Sequence, residues 1–425
     1  MSAIAELCLD LGFSVFGSDR AENQATRRLS QKGIYIEIGE EGKKITEADL
    51  LVYTLAVPLA HPLLQKAMEA GIEAVPRNRF LGEISRRFPV CACVAGMHGK
   101  SSTVGMCAEI LRHTSLSPTV LSGAPFSKEE GCYRKGSGEI LLMEACEYKA
   151  AFLSFAPTHI AILNIEWEHT DYYPDLQSVL SAFQSFVRKR TVKRLILPRE
   201  KAPLCERKGV LVKTFGYKGD FYAVGKKERG GFWSFSLYEG ALCIGQVHLQ
   251  TPGEYQIENA LAAAALCESL GVPKQAILKG LCSYKGIPRR MEYMGRLQNA
   301  PVYLDYAHHP SELSSVLQTA RLMGKTVVVF QPHTYSRLAA FHTDLASLLR
   351  ETETCGVLPV YAAREAKAEL DSEMLAKEAA ALFLPDFESA AAFLQEQDKE
   401  ENVLLVIGAG DVENIFPYLN IVEKP

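Results

Sequence analysis

Two glycines, a lysine and three hydroxyl residues follow a short apolar segment, and together they could bind phosphate. Residues 94–103 read Val-Ala-Gly-Met-His-Gly-Lys-Ser-Ser-Thr, and their surroundings predict a strand, a Gly-rich turn and a helix. Glycines let backbone N–H groups close on an anion, and the helix N-terminus adds its positive dipole end. Lys100 would then reach the β- and γ-phosphates, and the Ser101 hydroxyl would face Mg²⁺. The pattern predicts ATP binding. The alternative is an ordinary Gly-rich turn, since Val94 stands where the usual pattern has its first glycine.

Acidic and histidine side chains follow the next two apolar strands. Glu144 ends the run 140–143, and His169 follows the run 160–163 with Asp171 just beyond it. A carboxylate at a strand end beside a phosphate loop is where an ATP-bound Mg²⁺ is held. We therefore predict Glu144 and His169 as metal ligands. The acids around His169, which are Glu166, Glu168 and Asp171, are further candidates for a second metal or the γ-phosphate. The alternatives are a solvated acid and a structural histidine.

Histidine and arginine follow two later strands. His308 lies in Asp305-Tyr-Ala-His-His-Pro310, and Arg337 ends the segment Gln-Pro-His-Thr-Tyr-Ser-Arg. Side chains at the carboxyl ends of neighbouring parallel strands meet in one crevice, where they would suit an anionic substrate, with Arg337 clamping a carboxylate. Structural histidines and a solvated arginine are the alternative for each motif.

The composition limits the class of protein. A chain of 425 residues is long for one domain, which predicts two or three. A net charge of −4 offers no electrostatic footprint for nucleic acid, and no apolar run is long enough for a membrane helix. Eleven cysteines form no C-x-x-C pair, which argues against zinc and thioredoxin-like sites. With no signal peptide, we expect reduced thiols and a cytoplasmic protein.

Hydrophobic periodicity predicts three α/β units in series, with a β-ribbon at 215–250. The predicted helices are 3–11, 23–32, 62–70, 103–113, 176–188 and 257–270. The predicted strands are 13–16, 34–38, 50–54, 89–95, 140–143, 160–163, 232–237, 242–249, 302–305, 326–330, 356–361 and 403–407.

Nine motifs in this order resemble the Mur ligases over nearly the whole chain. They are Gly17-Ser-Asp19, Gly96-Met-His-Gly-Lys-Ser101, Glu144-Ala-Cys-Glu147, Asn164-Ile-Glu-Trp-Glu-His169, Pro252-Gly-Glu-Tyr-Gln-Ile-Glu-Asn259-Ala, Gly286-Ile-Pro-Arg-Arg290-Met-Glu292, Asp305 to Pro310, Phe330-Gln-Pro-His-Thr-Tyr-Ser-Arg337 and Gly408-Ala-Gly-Asp411. The His-His-Pro and Phe-Gln-Pro-His elements look like the alanine-adding branch of that family.

The resemblance implies a three-domain α/β architecture. A Rossmann-like UDP-sugar domain would cover 1–87, a central ATPase domain 88–286 and a Rossmann-like C-terminal domain 287–425. It also implies an ATP-dependent ligase that joins L-alanine to the carboxylate of UDP-N-acetylmuramic acid through an acyl phosphate, with Mg²⁺, in peptidoglycan precursor synthesis. A related ligase for another amino acid or a recycled peptide, and a non-catalytic nucleotide-binding paralogue, remain alternatives. Oligomeric state is left open.

The resemblance also implies roles for individual residues. His308 and Arg337 would face the muramyl lactyl carboxylate or the incoming amino acid, and with Lys100 they form the predicted catalytic set. Metal ligands would be Ser101, Glu144 and His169. The predicted nucleotide-binding residues are Gly96, His98, Gly99, Lys100, Ser101, Ser102, Asn259, Arg290 and Asp305.

Three departures from the family pattern carry expectations of their own. Thr334 stands where many members have an arginine, which leaves Arg337 as the carboxylate clamp. The segment 183–185 has no lysine where related ligases carry a carbamoylated one, so we predict no carbamoylation. Family members open with a strand and a Gly-rich loop before the Met-Ser of Met1. Without them we expect weak UDP-sugar binding and intact ATP binding. A mis-assigned start codon is the explanation that we favour.

Overall fold

The computed structural model describes residues 1–39, 41–127, 129–169, 172–205, 208–363 and 365–422. The chain divides into two compact units, each built from separate stretches of sequence. The first unit comprises Met1–Ile165, Val179–Phe215 and Ala262–Ile277. The second comprises Glu166–Ser178, Gly216–Leu261 and Leu278–Pro425.

The first 85 residues alternate helices and strands, as their periodicity predicts. The elements are α1 (Ser2–Asp10), β1 (Phe16–Asp19), α2 (Gln24–Gln31), β2 (Tyr35–Ile38), β3 (Leu50–Tyr53), α3 (Pro62–Glu69), β4 (Glu73–Pro76) and α4 (Arg77–Ser85). β1 and β2 form one parallel pair and β3 and β4 another, and each pair is a separate two-stranded sheet. Asn23 caps α2 in a reciprocal capping box with Thr26.

One predicted element of this region is misplaced and two were missed. The strand predicted at 13–16 begins only at Phe16, because the residues that pair with Tyr35–Ile38 are Phe16–Asp19. The alternation of apolar and polar residues before Phe16 therefore marks no strand. β4 and α4 escaped prediction, since neither carries a strong periodic pattern.

The next stretch builds the main sheet of the first unit. Its elements are β5 (Val90–Ala95), α5 (Lys100–Arg112), β6 (Thr119–Leu121), β7 (Tyr133–Arg134), β8 (Ile140–Glu144), β9 (His159–Ile162), α6 (Leu176–Val187), β10 (Arg194–Pro198) and β11 (Leu211–Phe215). The strand order in this unit is β11-β10-β9-β5-β8-β6-β7, parallel except where β7 meets β6. β5 lies between β8 and β9, and its residues 91–95 are fully buried. Burial on both faces explains its continuous apolar run.

An antiparallel ribbon and two helices follow, in agreement with the predicted β-ribbon. The elements are β12 (Phe221–Arg229), β13 (Phe232–Glu239), β14 (Leu242–Pro252), α7 (Tyr255–Ser269) and α8 (Lys274–Ser283). Gly230 and Gly231 join β12 to β13 with φ values of 58° and 82°, as a two-residue hairpin turn requires. Gly271, with φ of 82°, ends the α7 region as predicted.

The C-terminal part forms a six-stranded sheet within the second unit. Its elements are β15 (Glu292–Arg296), β16 (Pro301–Asp305), α9 (Pro310–Arg321), β17 (Lys325–Gln331), α10 (Tyr335–Arg350), β18 (Thr354–Val357), α11 (Ser372–Glu378), β19 (Leu382–Phe383), α12 (Phe387–Glu396) and β20 (Asn402–Gly408). The order is β15-β16-β20-β17-β18-β19, parallel except for β15. Buried side chains on its two faces form two apolar layers. The strand predicted at 356–361 ends earlier, at Val357, because Pro359 has no N–H to donate.

The sheet order places three strand ends side by side in the second unit. β20 lies between β16 and β17, so the residues after Asp305, Gln331 and Gly408 leave the same edge of the sheet. Ligands of open α/β sheets bind at such carboxyl ends. Among the described residues, no helix combines the length and apolarity that crossing a bilayer requires.

Candidate active site

The turn between β5 and α5 has the backbone of a phosphate-binding loop. Gly96 has φ of 143°, and a Cβ at that position would lie 3.0 Å from the Leu163 Cβ. Gly99 has φ of 80° and is the N-cap of α5. Both conformations favour glycine, and the close packing at Gly96 leaves no space for a side chain. The loop therefore delivers backbone N–H groups to the N-terminus of α5, which suits a phosphate.

Asn164 holds this loop in place. Its Oδ1 accepts a hydrogen bond from the His98 N–H at 2.9 Å, and its Nδ2 donates to the His98 carbonyl at 3.1 Å. Ser101 and Ser102 lie in the first turn of α5 and are 8% and 4% exposed. Their hydroxyl groups are therefore carried by a fixed helix turn at the loop.

The Lys100 ammonium contacts its own loop and a buried acid. Nζ donates to the carbonyls of Gly96 at 2.5 Å and Met97 at 2.9 Å, and lies 3.1 Å from Oε1 of Glu147. The Glu147 side chain is 1% exposed. Three oxygen atoms thus hold the Lys100 ammonium at the loop, and its positive charge can pair with a phosphate there.

Glu144 ends β8, and its carboxylate is fixed from β6. Oε1 accepts from the Gly123 N–H at 2.5 Å and lies 3.2 Å from the Ser122 hydroxyl. A Cβ on Gly123 would lie 2.5 Å from Oε2, so a side chain there would displace the Glu144 carboxylate. The carboxylate of Glu144 and the hydroxyl of Ser101 are hard oxygen donors of the kind Mg²⁺ prefers. These two residues of the first unit fit the predicted metal chemistry.

His169 belongs to the second unit and lies in a strained turn. Its φ is 55°, and its carbonyl accepts from the N–H groups of Tyr172 and Tyr173. Asp171, one of the further candidates of this motif, lies outside the described residues.

Asp305 organises the turn that carries Arg290. Oδ2 accepts from the Met291 N–H and Oδ1 from the Ala307 N–H, both at 2.7 Å. Burial raises the pKa of Asp305 to about 6, although Arg290 and the two backbone donors oppose the shift. Both carboxylate oxygens of Asp305 thus accept hydrogen bonds from backbone N–H groups.

The two arginines of this turn share the Tyr306 ring and differ in their hydrogen-bond and ion-pair partners. The Arg290 guanidinium lies over the Tyr306 ring and 3.6 Å from Glu312. Arg289 donates to the carbonyls of Gly408 and Gly410 at 2.7 and 2.8 Å. Arg289 therefore fastens the glycine segment after β20, whose role the sequence left open.

His308 and His309 are adjacent in sequence and do different work. His309 is the N-cap of α9, where its ring accepts from the Ser311 N–H. His308 lies with Nδ1 3.1 Å from the Tyr306 carbonyl and 3.3 Å from Glu312, and with Nε2 3.6 Å from Glu168. His309 thus caps the helix with one ring nitrogen, whereas His308 faces the acids Glu312 and Glu168.

Arg337 lies between a histidine and the same acid. Its Nη1 is 3.0 Å from the Nδ1 of His333, and its Nη2 is 3.4 Å from Oε1 of Glu168. Burial, together with the charges of His308, Arg337 and Arg289, lowers the pKa of His333 to about 3. A guanidinium can only donate, so the neutral His333 ring accepts from it. The second unit thus brings together His308, Arg337 and Glu168.

Asn259 lies on α7 and is 7% exposed. Its Nδ2 donates to Oε1 of Gln256 at 3.0 Å.

The predicted site residues fall into two groups. The first unit holds the loop residues and Glu144, and the second unit holds Arg290, Asp305, His308 and Arg337.

Three residues with defined contacts at these sites were not predicted, namely Glu147, Asn164 and Arg289. Glu168 was considered for a second metal or the γ-phosphate, and its contacts with Arg337 and His308 were not predicted. Glu147 is the second acid of its motif and Arg289 the first arginine of its pair, so each carried a local signal. Asn164 and Glu168 reveal their roles only through partners that are distant in sequence.

Comparison with known proteins identifies the family. Three family models match in succession: the Mur ligase family catalytic domain at 1–89, the Mur ligase middle domain at 94–267 and the Mur ligase glutamate ligase domain at 289–410. A UDP-N-acetylmuramate–L-alanine ligase of Acetivibrio thermocellus is 36% identical, over 98% of this chain and 92% of its own length. The chain belongs to the Mur ligase family.

Further Mur ligases support the same assignment. A protein of the same name from Clostridium novyi is 34% identical over 98% of this chain and 93% of its own. The crystal structure of UDP-N-acetylmuramate–alanine ligase from Thermotoga maritima superposes with a TM-score of 0.83, at 26% identity, covering 98% and 95% of the two chains. The three-domain Mur ligase architecture expected from the motifs is thereby confirmed. The boundaries 1–87, 88–286 and 287–425 remain predictions.

Proposed function

We propose that this chain is the ATP-dependent ligase that joins L-alanine to the carboxylate of UDP-N-acetylmuramic acid in peptidoglycan precursor synthesis. The observation that carries this proposal is full-length similarity to ligases of that name, at 34–36% identity. The phosphate loop, the strand-end acids and the strand-end arginine lie within the matched length.

The chemistry needs activation because a carboxylate does not react with an amine. A carboxylate oxygen would take the γ-phosphoryl group of ATP, which gives an acyl phosphate and releases ADP. The loop from Gly96 to Ser102 fits the phosphates, and Lys100 would neutralise the charge that spreads over the transferred group. Asn259, Arg290 and Asp305 are the proposed contacts to the nucleotide.

Mg²⁺ would lend positive charge to the phosphates. Ser101 and Glu144 are the proposed ligands in the first unit and His169 in the second. The hydroxyl and carboxylate donors suit a hard cation. Glu144 is already oriented by Ser122 and Gly123, so little rearrangement of its side chain is needed.

The substrate carboxylates require cationic partners of fixed geometry. Arg337 can bind a carboxylate through two parallel N–H groups, and His308 can orient the reacting group or take a proton from the amine. The free amine of L-alanine then attacks the acyl carbon, and phosphate leaves.

Phosphate release tests the proposed function. The purified chain is incubated with ATP, Mg²⁺ and UDP-N-acetylmuramic acid, with and without L-alanine, and the product mass is measured. We expect alanine-dependent phosphate and a UDP-muramyl-alanine product. Phosphate release with another amine but not with L-alanine would indicate a related ligase. ATP binding without turnover on any amine of the panel would contradict the proposal.

A further inference from the structure

Glu168 is a buried carboxylate that the sequence suggested only for a second metal or the γ-phosphate. It lies in the stretch Glu166–Ser178 of the second unit, and its side chain is 4% exposed. A buried carboxylate costs free energy unless charged or hydrogen-bonding partners surround it. The partners found here come from two separate strand ends.

One oxygen of Glu168 serves both proposed substrate-binding side chains. Oε1 lies 3.4 Å from Nη2 of Arg337 and 3.6 Å from Nε2 of His308. Arg337 lies in the first turn of α10, after β17, and His308 lies in the loop between β16 and α9, so Glu168 links groups from two separate connections. The distances are longer than the 2.7–2.9 Å typical of a tight charge-assisted hydrogen bond. The contact therefore orients the two groups and leaves them able to bind an anion.

The opposite side of each group is held independently. His333 fixes Nη1 of Arg337, and the Tyr306 carbonyl fixes Nδ1 of His308. Arg337 thus has His333 as a local partner, and His308 has the Tyr306 carbonyl and Glu312. The two side chains share Glu168 as a further partner. Removing the shared partner would let a long arginine and an imidazole sample other rotamers, and small displacements of reacting groups are costly in rate.

We propose that Glu168 is a positioning residue that sets the Arg337 guanidinium and the His308 imidazole for the substrate carboxylates. This role rests on the proposed function of those two residues. The proposed role of Glu168 is in binding the carboxylate substrates rather than the nucleotide, because its contacts described above are with Arg337 and His308.

The test compares Glu168→Gln with Glu168→Asp. Gln keeps the size and removes the charge, whereas Asp keeps the charge and loses one methylene. We expect Glu168→Gln to lower kcat/KM at least about tenfold for L-alanine or UDP-N-acetylmuramic acid. The KM for ATP and the melting temperature should stay near those of the wild type. Glu168→Asp should recover part of the loss.

Glu365→Gln is the matched control. The Glu365 carboxylate accepts a hydrogen bond from the Ser336 N–H at 2.8 Å, at the start of the same helix α10. In the part of the chain that the structure describes, it does not contact Arg337 or His308. Its constants should match the wild type. A merely structural role for Glu168 would instead lower the melting temperature and shift all three KM values together, which would overturn the proposal.

A spectroscopic readout separates this inference from the proposed function. The ring ¹⁵N signals of His308 should move in Glu168→Gln and stay in place in Glu365→Gln, whether or not the wild type turns over. Absence of alanine-dependent turnover in the wild type would count against the function alone. Unchanged His308 signals, or kcat/KM values within twofold of the wild type, would overturn the positioning role.

Discussion

At the scale of single residues, Lys100 and Glu147 form a pair with two consequences. The lysine is placed for phosphate chemistry, but it also neutralises a carboxylate that is 1% exposed. Removing one member of a buried pair is destabilising because the other charge is left unpaired in the interior. Loss of activity after mutation of Lys100 therefore has two sources.

Lys100→Ala is expected to abolish turnover and also to lower stability, by about 3 kcal/mol. The first effect comes from the missing charge at the phosphates, and the second from the stranded Glu147. Phosphate release and urea denaturation measure the two effects separately.

The double variant Lys100→Ala/Glu147→Gln separates these causes. It should recover most of the lost stability and none of the activity. A single variant as stable as the wild type would show that the Lys100–Glu147 contact adds nothing to folding.

His159 makes the stability of the first unit depend on pH. Burial lowers its pKa from 6.5 to about 4 in the folded protein. Below pH 6.5 the unfolded chain therefore binds a proton that the native ring does not, and stability is lost as the pH falls toward 4. Above pH 6.5 the ring is neutral in both states and makes no pH-dependent contribution.

His159→Gln should flatten this part of the pH profile. Gln cannot titrate, so the difference in unfolding free energy between pH 7 and pH 4.5 should shrink by on the order of 2 kcal/mol. Urea denaturation of both proteins at the two pH values measures it, and other titrating groups cancel in the comparison. An equal pH dependence of the unfolding free energy in the two proteins would contradict the lowered pKa of His159.

At the scale of elements, the turn from β5 to α5 depends on Gly96. Its φ of 143° and the Leu163 Cβ at 3.0 Å both exclude a side chain. Gly96→Ala is expected to destabilise the fold by about 2 kcal/mol or more and to raise the KM for ATP, because the loop must move. Gly12 is a fitting control, since its φ is also positive, at 85°, but nothing lies within 4 Å of its Cβ position.

Nucleotide binding and denaturation of Gly96→Ala and Gly12→Ala make this comparison. Gly12→Ala should show backbone strain alone, with unchanged nucleotide binding. If both substitutions changed ATP binding equally, the result would argue against a special role for the loop at Gly96.

Sequence reasoning succeeded for elements whose signal is local. The apolar run of β5 and the amphipathic pattern of α1 each lie within one segment. The predicted bounds were wrong where strand pairing or a missing N–H donor sets the end of a strand. β1 begins at Phe16 because of its register with β2, and β18 ends before Pro359. Local patterns do not encode such long-range partners.

The same distinction holds for the candidate site. Lys100 and Arg337 were predicted because glycine spacing and strand-end position are visible in the sequence. The contact between Glu168 and Arg337 was not predicted, because the two residues are 169 positions apart. A buried acid acquires its role through the fold, which no short motif reveals.

At the scale of the whole molecule, the order of motifs gave the architecture more reliably than any one motif. Three family models match the chain in sequence, in the order that the motifs predict. The sequence did not predict the division into two compact units. Glu166–Ser178 groups with residues far along the chain, and only three-dimensional contacts reveal that.

The small sheets near the N-terminus have a consequence for the exchange of amide hydrogens with solvent. Within the described residues, each strand of the pairs β1–β2 and β3–β4 has a partner on one side only, whereas β5 lies between β8 and β9 and β17 between β20 and β18. Amides of edge strands open at low free energy, while those of central strands exchange only on larger unfolding. In D₂O, mass spectrometry should find peptides from β1 to β4 deuterated early and those from β5 and β17 protected longest. Uniform protection across these peptides would mean that the N-terminal pairs open no more readily than the central strands.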